Sequence, residues 1–274
     1  MNATSAIGSL IGPEDPAPYR LLNPGGSAPY LVICDHASRL IPRLLDNLGL
    51  DAVTLRQHIA WDIGTADVAE RVAERLDAPL VASGYSRLVI DQNRYPSDPT
   101  SIPAISDGVV IPGNRDVTAE EARRRAEEFF WPYHNAIETE TERLRTRGVT
   151  PVIISVHSFT PSFQGFERPW HIGILSHRDR RVADPLLERL RAQPELCVGD
   201  NQPYSARNPA GYSMEAHAEA PGYPHALIEI RQDLIDTKRT ALGWADLLAE
   251  LLRDVLANPV LIGTEALEGA HKPR

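Results

Sequence analysis

The sequence is poor in cysteine and in positive charge, and both shortages narrow the class of protein. Cys34 and Cys197 are the only cysteines among 274 residues, so a disulfide framework is excluded and a reducing compartment, the cytoplasm, is expected. Aspartate and glutamate total 37 against 28 lysines and arginines, which gives a formal charge of −9. Because nucleic-acid binding needs a basic face that neutralises phosphates, this balance argues against a nucleic-acid partner.

The sequence also lacks a long apolar run. No stretch approaches the roughly 20 apolar residues of a membrane-spanning helix. The first residues, MNATSAIGSLIGPEDPAPY, lack the basic segment and apolar core of a signal peptide. Hydrophobic residues still make up 42% of the chain, which is enough to bury a core. We therefore predict a soluble protein with no membrane partner, and the composition leaves its oligomeric state open.

Apolar runs and helical patterns alternate along the chain. The apolar runs predict strands at residues 30–34, 80–83, 87–91, 150–159, 170–179 and 226–233. Apolar residues at helical spacing predict helices at 63–79, 180–193 and 240–257. Thr118 and Glu121 form a capping box that opens a further helix to about residue 146, kinked or divided at Pro132.

This alternation predicts an α/β fold of three layers, α/β/α, around a mostly parallel mixed sheet. A single domain over residues 1–274 is the simplest organisation, with an extended lead-in at 1–28 and a tail at 260–274. The segment 95–116 has no periodic pattern, so we expect a long loop or flap there.

The predicted strand ALIEIRQD carries a glutamate in its middle. Side chains alternate across a strand, so Leu227, Glu229 and Arg231 share one face. Burying an unpaired carboxylate costs several kcal/mol. Either Arg231 or another cation neutralises Glu229 for structural reasons, or Glu229 faces a wet cleft in which it performs chemistry.

Polar residues follow several of the predicted strands. Asp35-His36, Asp91-Gln92-Asn93-Arg94, His157-Ser158 and His177 each come directly after an apolar run. In open α/β sheets, ligands bind beyond the carboxyl ends of the strands. Histidines and carboxylates without cysteine are typical of a catalytic zinc site, with three protein ligands and an open position for water. Zinc lowers the pKa of its water to about 7, and a nearby glutamate can accept the proton.

At these residues the sequence resembles the N-formylglutamate amidohydrolase family and, more distantly, the zinc carboxypeptidases and aspartoacylases. The similarity extends from about residue 30 to 235 and is carried by VICDHASRLIP, HIAWDIGTADVAERVAERL, YSRLVIDQNR, VHSFTP and PHALIEIRQDLI. The resemblance implies a zinc carboxypeptidase-like fold. It also implies hydrolysis of N-formyl-L-glutamate to formate and L-glutamate, with one Zn²⁺ per chain.

The resemblance implies metal ligands at His36 and His157, the latter from VHSFTP. Carboxypeptidases and aspartoacylases take two ligands from a His-x-x-Glu motif, but Arg39 stands at the glutamate position here. The second ligand must therefore come from elsewhere. We choose Asp62, because a carboxylate recurs at this point in the formylglutamate family, and His58, four residues earlier, is the alternative. Manganese or iron could also occupy such a nitrogen and oxygen site.

The resemblance also implies roles for the remaining site residues. IEIRQD is similar to the carboxypeptidase segment with the general-base glutamate, which maps to Glu229. RLVIDQNR is similar to the aspartoacylase segment in which an Asn-Arg pair binds the substrate carboxylate, which maps to Asn93 and Arg94. An earlier arginine of that segment polarises the scissile carbonyl and falls at Arg87.

Two further residues are predicted at the substrate site. His217, or its alternative His225, could donate to a tetrahedral oxyanion, and Arg231 could contact the substrate. Two other functions remain open from the sequence: hydrolysis of another N-acyl amino acid or short peptide at the same zinc site, and non-catalytic binding of an anion. The acyl group is not specified by the segments 95–116 and 201–224, which we expect to shape the pocket.

Overall fold

The computed structural model describes residues 8–206, 211–258 and 261, and a mixed sheet of seven strands lies at the centre of these residues. In chain order the strands are β1 (Tyr19–Leu22), β2 (Tyr30–Cys34), β3 (Leu80–Ser83), β4 (Ile105–Ser106), β5 (Val109–Val110), β6 (Val152–Phe159), β7 (Ser162–Phe163), β8 (Phe166–Glu167), β9 (Ile172–Leu175), β10 (Val198–Asp200) and β11 (His225–Arg231). The large sheet has the order β1-β3-β2-β6-β11-β9-β10. β1 is antiparallel to β3 and β9 to β11, and the other neighbours are parallel. β4 with β5 and β7 with β8 form separate hairpins.

Helices cover both faces of this sheet. They are α1 (Thr65–Leu76), α2 (Ala119–Arg125), α3 (Trp131–Thr146), α4 (Ala183–Arg191), α5 (Tyr212–Met214) and α6 (Lys238–Leu256). α1, α4 and α6 pack on one face, where their apolar residues meet Ile154 and Ile228 of the sheet. α3 packs on the other face against Ile153 and Leu227. The predicted three-layer α/β fold with a mostly parallel mixed sheet is confirmed.

The helix predicted to begin at Thr118 is present but divided. The Thr118 hydroxyl accepts a hydrogen bond of 3.2 Å from the Glu121 backbone N–H, as an N-cap does. A π-helical turn over Ala126–Phe130 separates α2 from α3, and Pro132 lies in the first turn of α3. Proline has no N–H to donate to the preceding turn, so a change of hydrogen-bond pattern here is expected.

The strand predicted at 87–91 is wrong. The Val89 N–H bonds to the Ser86 carbonyl at 3.0 Å and the Leu88 N–H to the Ser86 hydroxyl at 3.1 Å, which makes a turn. Leu88 and Val89 are fully buried in apolar clusters beside the sheet, so burial rather than strand pairing explains the apolar run. The edge next to β3 is occupied by β1, which lies within the predicted lead-in.

Two other features differ from the sequence prediction. The loop predicted at 95–116 contains the hairpin of β4 and β5, and β10 forms from a three-residue segment with no apolar pattern. In the described ranges, no helix combines the length and apolarity needed to cross a bilayer. Residues 1–7 of the lead-in and all of the 260–274 tail except residue 261 lie outside the described residues.

Candidate active site

The carboxyl ends of β2, β6 and β11 bring the predicted site residues to one edge of the sheet. His36 follows β2, while His157 of β6 and Glu229 of β11 are direct cross-strand partners. Glu229 lies two residues after Leu227 in the strand, so both side chains are on the same face of the sheet, the one that α3 covers. Because these three strands are neighbours and parallel, their ends form a common edge, where α/β proteins bind ligands.

His36, Asp62 and His157 form a buried cluster whose ligand atoms all lie within 4.8 Å of one another. Asp62 Oδ2 is 3.3 Å from His36 Nδ1 and 2.9 Å from His157 Nδ1. The loop before α1 holds Asp62 there, because the Asp62 N–H donates to the His36 carbonyl at 3.0 Å. The three predicted ligands, distant in sequence, are therefore adjacent in the fold.

Each of the two imidazoles has a second carboxylate on its other nitrogen. His36 Nε2 lies 2.8 Å from Asp91 Oδ1, and His157 Nε2 lies 3.0 Å from Asp35 Oδ2. Both Nδ1 atoms consequently point to the shared space at Asp62. A carboxylate behind a metal-binding histidine fixes its ring orientation and tautomer. In the sequence, Asp35 and Asp91 stand out only as polar residues that follow apolar runs, with no signal for this role.

These outer carboxylates are themselves anchored. The Tyr133 hydroxyl donates to Asp35 Oδ1 at 2.7 Å, and the Ser213 hydroxyl donates to the same atom at 2.8 Å. The Arg87 guanidinium donates to Asp91 Oδ2 through Nε at 3.1 Å and Nη2 at 2.8 Å. The histidine rings are thus held by neighbours that are fixed in turn.

The cluster fits a divalent cation. Asp62 Oδ1 and Glu229 Oε2 are buried and have no hydrogen-bond partner among the described residues. Asp35, Asp62, Asp91 and Glu229 place four carboxyl groups around the imidazoles, and buried negative charge is stable only when it is compensated. Two imidazole nitrogens and a carboxylate oxygen, without thiolate, are donors suited to zinc and to other divalent transition metals.

Asp35 behind the cluster and Asp62 within it both have a lowered pKa and are ionised at neutral pH. Burial alone would raise the pKa of Asp35, but the hydrogen bond and the charge of His157, the charge of His36 and the hydrogen bond from Tyr133 together outweigh it, and the pKa falls to about 2. Burial likewise opposes ionisation of Asp62, and the imidazoles of His36 and His157 hold its pKa well below the usual range. An ionised carboxylate between two imidazoles is the arrangement that a metal ligand set requires.

His58, the alternative ligand, lies at the edge of this cluster. Its Nδ1 is 3.7 Å from Asp62 Oδ1, the atom that also faces Arg87 Nη1 at 3.5 Å. Burial lowers the pKa of His58 to about 4. The compact cluster contains Asp62 rather than His58, with the neutral imidazole of His58 beside it.

A cavity of about 280 Å³ opens beside the cluster. Arg87, Asn93, Arg94, Tyr204 and Glu229 line it. Glu229 is 6% exposed, and burial raises its pKa to about 7. The glutamate of the ALIEIRQD strand therefore faces a cleft rather than the apolar core, and Arg231 pairs with Asp233 instead of neutralising it.

The Asn93-Arg94 pair lies on the wall of this cavity. Arg94 Nη1 donates to the Asn93 carbonyl at 3.5 Å, and in the described part of the chain no carboxylate forms an ion pair with Arg94. Asn93 Oδ1 accepts from the Ser213 N–H at 3.1 Å, which leaves its amide NH₂ as a donor. Gly211 packs so closely that a Cβ there would lie 2.4 Å from Asn93 Oδ1.

Two predicted substrate-site residues are not brought to the cavity. Arg231 shares the strand face of Glu229, but its guanidinium pairs with Asp233 at 2.8 Å and reaches the Arg168 carbonyl. His217 is 5% exposed, and its Nε2 lies 2.8 Å from His134 Nδ1. His225, the alternative to His217, contacts Glu219 at 3.1 Å. The described lining of the cavity includes none of these three predicted side chains.

The sequence matches a known protein family and a curated relative. The family model for N-formylglutamate amidohydrolase matches residues 28–236. A curated N-formylglutamate deformylase from Pseudomonas putida is 25% identical over 254 residues, which cover 84% of this chain and 90% of that protein.

Solved structures agree with the fold. The crystal structure of a gene product from Agrobacterium tumefaciens superposes with a TM-score of 0.87 at 33% identity, covering 90% of this chain and 98% of that one. The N-formylglutamate amidohydrolase from Ralstonia eutropha JMP134 has the same fold, with a TM-score of 0.66 at 20% identity over 88% of this chain and 98% of that one. The family match spans most of the sequence and includes every residue of the His-Asp-His cluster, so this chain belongs to the N-formylglutamate amidohydrolase family.

Proposed function

We propose that this protein is a metal-dependent amidohydrolase that converts N-formyl-L-glutamate and water to formate and L-glutamate. The observation that carries the proposal is the buried His36, Asp62 and His157 cluster beside an unpartnered oxygen of Glu229. A metal-binding group and a proton acceptor in one cavity are the two components that hydrolysis of an amide needs. The family match supports the choice of a small N-acyl amino acid as substrate.

His36, Asp62 and His157 would hold the metal, and zinc is the ion we expect, at one per chain. When bound, such an ion polarises a carbonyl oxygen and makes water more acidic. Asp35 and Asp91 keep the Nε2 atoms of the two histidines engaged, so Nδ1 of each ring is the donor that remains for a cation. The same donors also suit manganese or iron.

Glu229 would act as the general base and then as the general acid. Glu229 lines the cavity, and its Oε2 has no hydrogen-bond partner among the described residues, so the carboxylate can accept a proton from water. The pKa of about 7 produced by burial lets the same group release that proton to the leaving amine near neutral pH. Proton transfer from water to the amine nitrogen completes the release of the amino acid.

Arg94 and Asn93 would bind a carboxylate of the substrate. Arg94 lines the cavity without an ion pair in the described residues, and its planar guanidinium can contact both oxygens of a carboxylate. Arg87 would polarise the scissile carbonyl. Nε and Nη2 of Arg87 donate to Asp91, so we assign that contact to Nη1, which lies 3.5 Å from Asp62 Oδ1 and makes no hydrogen bond within the described residues.

The test is a substrate panel combined with elemental analysis. Protein purified without chelator should contain about one zinc per chain and release L-glutamate from the N-formyl compound faster than from N-acetyl or N-succinyl analogues. Preference for another acyl group would assign a different N-acyl amino acid hydrolase. Absence of metal together with absence of turnover would contradict the enzyme assignment and favour an anion-binding protein.

A further inference from the structure

Arg168 is a buried guanidinium with no carboxylate partner. It is 6% exposed, and within the described ranges no acidic side chain forms an ion pair with it. Nη1 instead donates to the Thr160 hydroxyl at 3.1 Å and to the Tyr204 hydroxyl at 3.2 Å. A buried arginine is usually compensated by a carboxylate, so this position needs another explanation.

Aromatic rings surround the guanidinium. Its central carbon lies 4.9 Å from the ring centroids of both Phe163 and Tyr204, and 5.8 Å from that of Phe159. Cation–π contacts of this kind stabilise an arginine that has lost its water. They also fix the guanidinium against the Tyr204 ring, so Arg168 and Tyr204 form one rigid unit.

Tyr204 connects this unit to the cavity of the proposed active site. It lines the same space as Glu229, Arg87 and Arg94. Its hydroxyl oxygen accepts from Arg168, so the hydroxyl hydrogen remains available to another acceptor. Tyr204 is 40% exposed as a whole, but desolvation around its hydroxyl, and next the carboxylate of Glu229, raise the pKa of Tyr204, so the phenol keeps its proton at neutral pH.

Resting on the proposed amidohydrolase function, we infer that Tyr204 is a catalytic residue that donates a hydrogen bond to the scissile carbonyl oxygen as negative charge develops there, and that Arg168 is its positioning residue. The donation from Arg168 polarises the phenol, so the hydrogen bond that Tyr204 gives is strengthened by the cation behind it. A donor of this kind stabilises the transition state more than the bound substrate. Tyr204 would supplement Arg87, which has one nitrogen left for the same oxygen.

The inference predicts a loss in kcat without a loss in binding. Tyr204→Phe should lower kcat for N-formyl-L-glutamate about 10²-fold, the effect of removing one oxyanion donor, with KM changed less than about threefold because the contact forms in the transition state. Calorimetric affinity for the product L-glutamate, which has no acyl carbonyl, should stay unchanged, as should metal content. Tyr30→Phe is the matched control, because it removes a hydroxyl that bonds to the Leu256 carbonyl outside the cavity.

Arg168 is tested through its dependence on Tyr204. Arg168→Met should lower kcat, Arg168→Lys should restore part of it, and Arg168→Met should cost little further in the Tyr204→Phe background. Additive losses would contradict the positioning role. A normal kcat in Tyr204→Phe, or a weaker affinity of that variant for L-glutamate, would overturn the catalytic role of Tyr204. The proposed function would still stand in that case, provided that the wild type hydrolyses N-formyl-L-glutamate. A wild-type protein that does not hydrolyse N-acyl amino acids would remove both.

Discussion

At the scale of single residues, Glu229 shows how a strand can carry a buried carboxylate. Its backbone pairs with β6 on one side and β9 on the other, so the strand is central in the sheet. Its side chain lies where the apolar cluster under α3 gives way to the cavity. Burial disfavours the ionised form of Glu229 and raises its pKa to about 7. A pKa in this range is suited to proton transfer near neutral pH.

The first prediction concerns this residue. Glu229→Gln keeps the size and polarity of the side chain but cannot accept a proton, so kcat should fall about 10²- to 10⁴-fold. Zinc content should stay at the wild-type value, because Glu229 is outside the ligand cluster. Steady-state kinetics and elemental analysis check both statements. Glu195→Gln, the same change at an exposed loop position, is the control, and near-wild-type turnover by Glu229→Gln would remove the assigned role.

At the scale of elements, the short turn that carries Asn93 and Arg94 is fixed from two sides. The Asn93 N–H donates to Asp91 Oδ1 at 2.8 Å, and the Tyr212 N–H donates to the Asn93 carbonyl at 3.3 Å. Gly211, just before α5, makes the second contact possible. Its φ of 79° and ψ of 155° belong to a region that only glycine adopts readily.

The second prediction follows from that glycine. Gly211→Ala should raise KM for N-formyl-L-glutamate about tenfold or more, because a Cβ overlapping the Asn93 amide must displace the Asn93-Arg94 turn. Gly222→Ala is the matched control: Gly222 also has positive φ, but a Cβ there would meet nothing within 4 Å. A KM of Gly211→Ala no higher than that of Gly222→Ala would show that the close contact between Gly211 and Asn93 does not control substrate binding.

The apolar runs in the sequence predict some of these elements correctly and others wrongly, because both strands and buried turns produce such runs. The β2, β6 and β11 strands were predictable because parallel central strands are buried on both faces and read as continuous apolar runs. The run at Leu88 and Val89 has the same composition, yet it fills satellite clusters from a turn. An apolar run indicates that a segment is buried, but it does not distinguish a strand from a buried turn. That distinction depends on the backbone hydrogen-bond partners.

The site itself was predictable in part for similar reasons. His36 and His157 stand at strand ends, where α/β proteins place ligands. The function of Asp35 and Asp91 depends on which ring nitrogen each imidazole presents, and no linear pattern encodes ring orientation. Tyr204 lies in a loop without periodicity, and it reaches the cavity through tertiary contacts with Arg168.

At the scale of the whole molecule, the sheet edge that carries the candidate site is bordered by buried polar groups from distant parts of the chain. His134 of α3 is 1% exposed, and its Nε2 lies 3.0 Å from the Gln92 carbonyl, next to the turn that carries Asn93 and Arg94. Its other nitrogen meets His217, which belongs to the π-helical turn Glu215–Glu219. One ring nitrogen of the pair must accept from the other, so the contact needs at least one neutral imidazole. Protonating both rings would remove that bond, which joins α3 to the π-helical turn.

The last prediction is the pH dependence of stability that this pair produces. Burial lowers the pKa of His134 to about 3 and that of His217 to about 4, from an ordinary value of 6.5. Above pH 6.5 both rings are neutral in the folded and unfolded chains. Below it the unfolded chain binds protons that the folded chain does not, so the free energy of unfolding falls by up to about 1.4 kcal/mol per pH unit for each ring.

Urea unfolding of the wild type and of His217→Gln, at pH 7 and pH 5 with equal metal loading, isolates one of these contributions. At pH 7 the variant should be less stable, because the buried hydrogen bond to His134 is disturbed. At pH 5 the difference should be smaller by about 2 kcal/mol, since only the wild type retains a histidine at 217 whose unfolded form gains a proton in this interval. If the wild type and the variant differ in unfolding free energy by the same amount at both pH values, the fold does not keep His217 neutral. Any loss of stability in acid would then come from other groups.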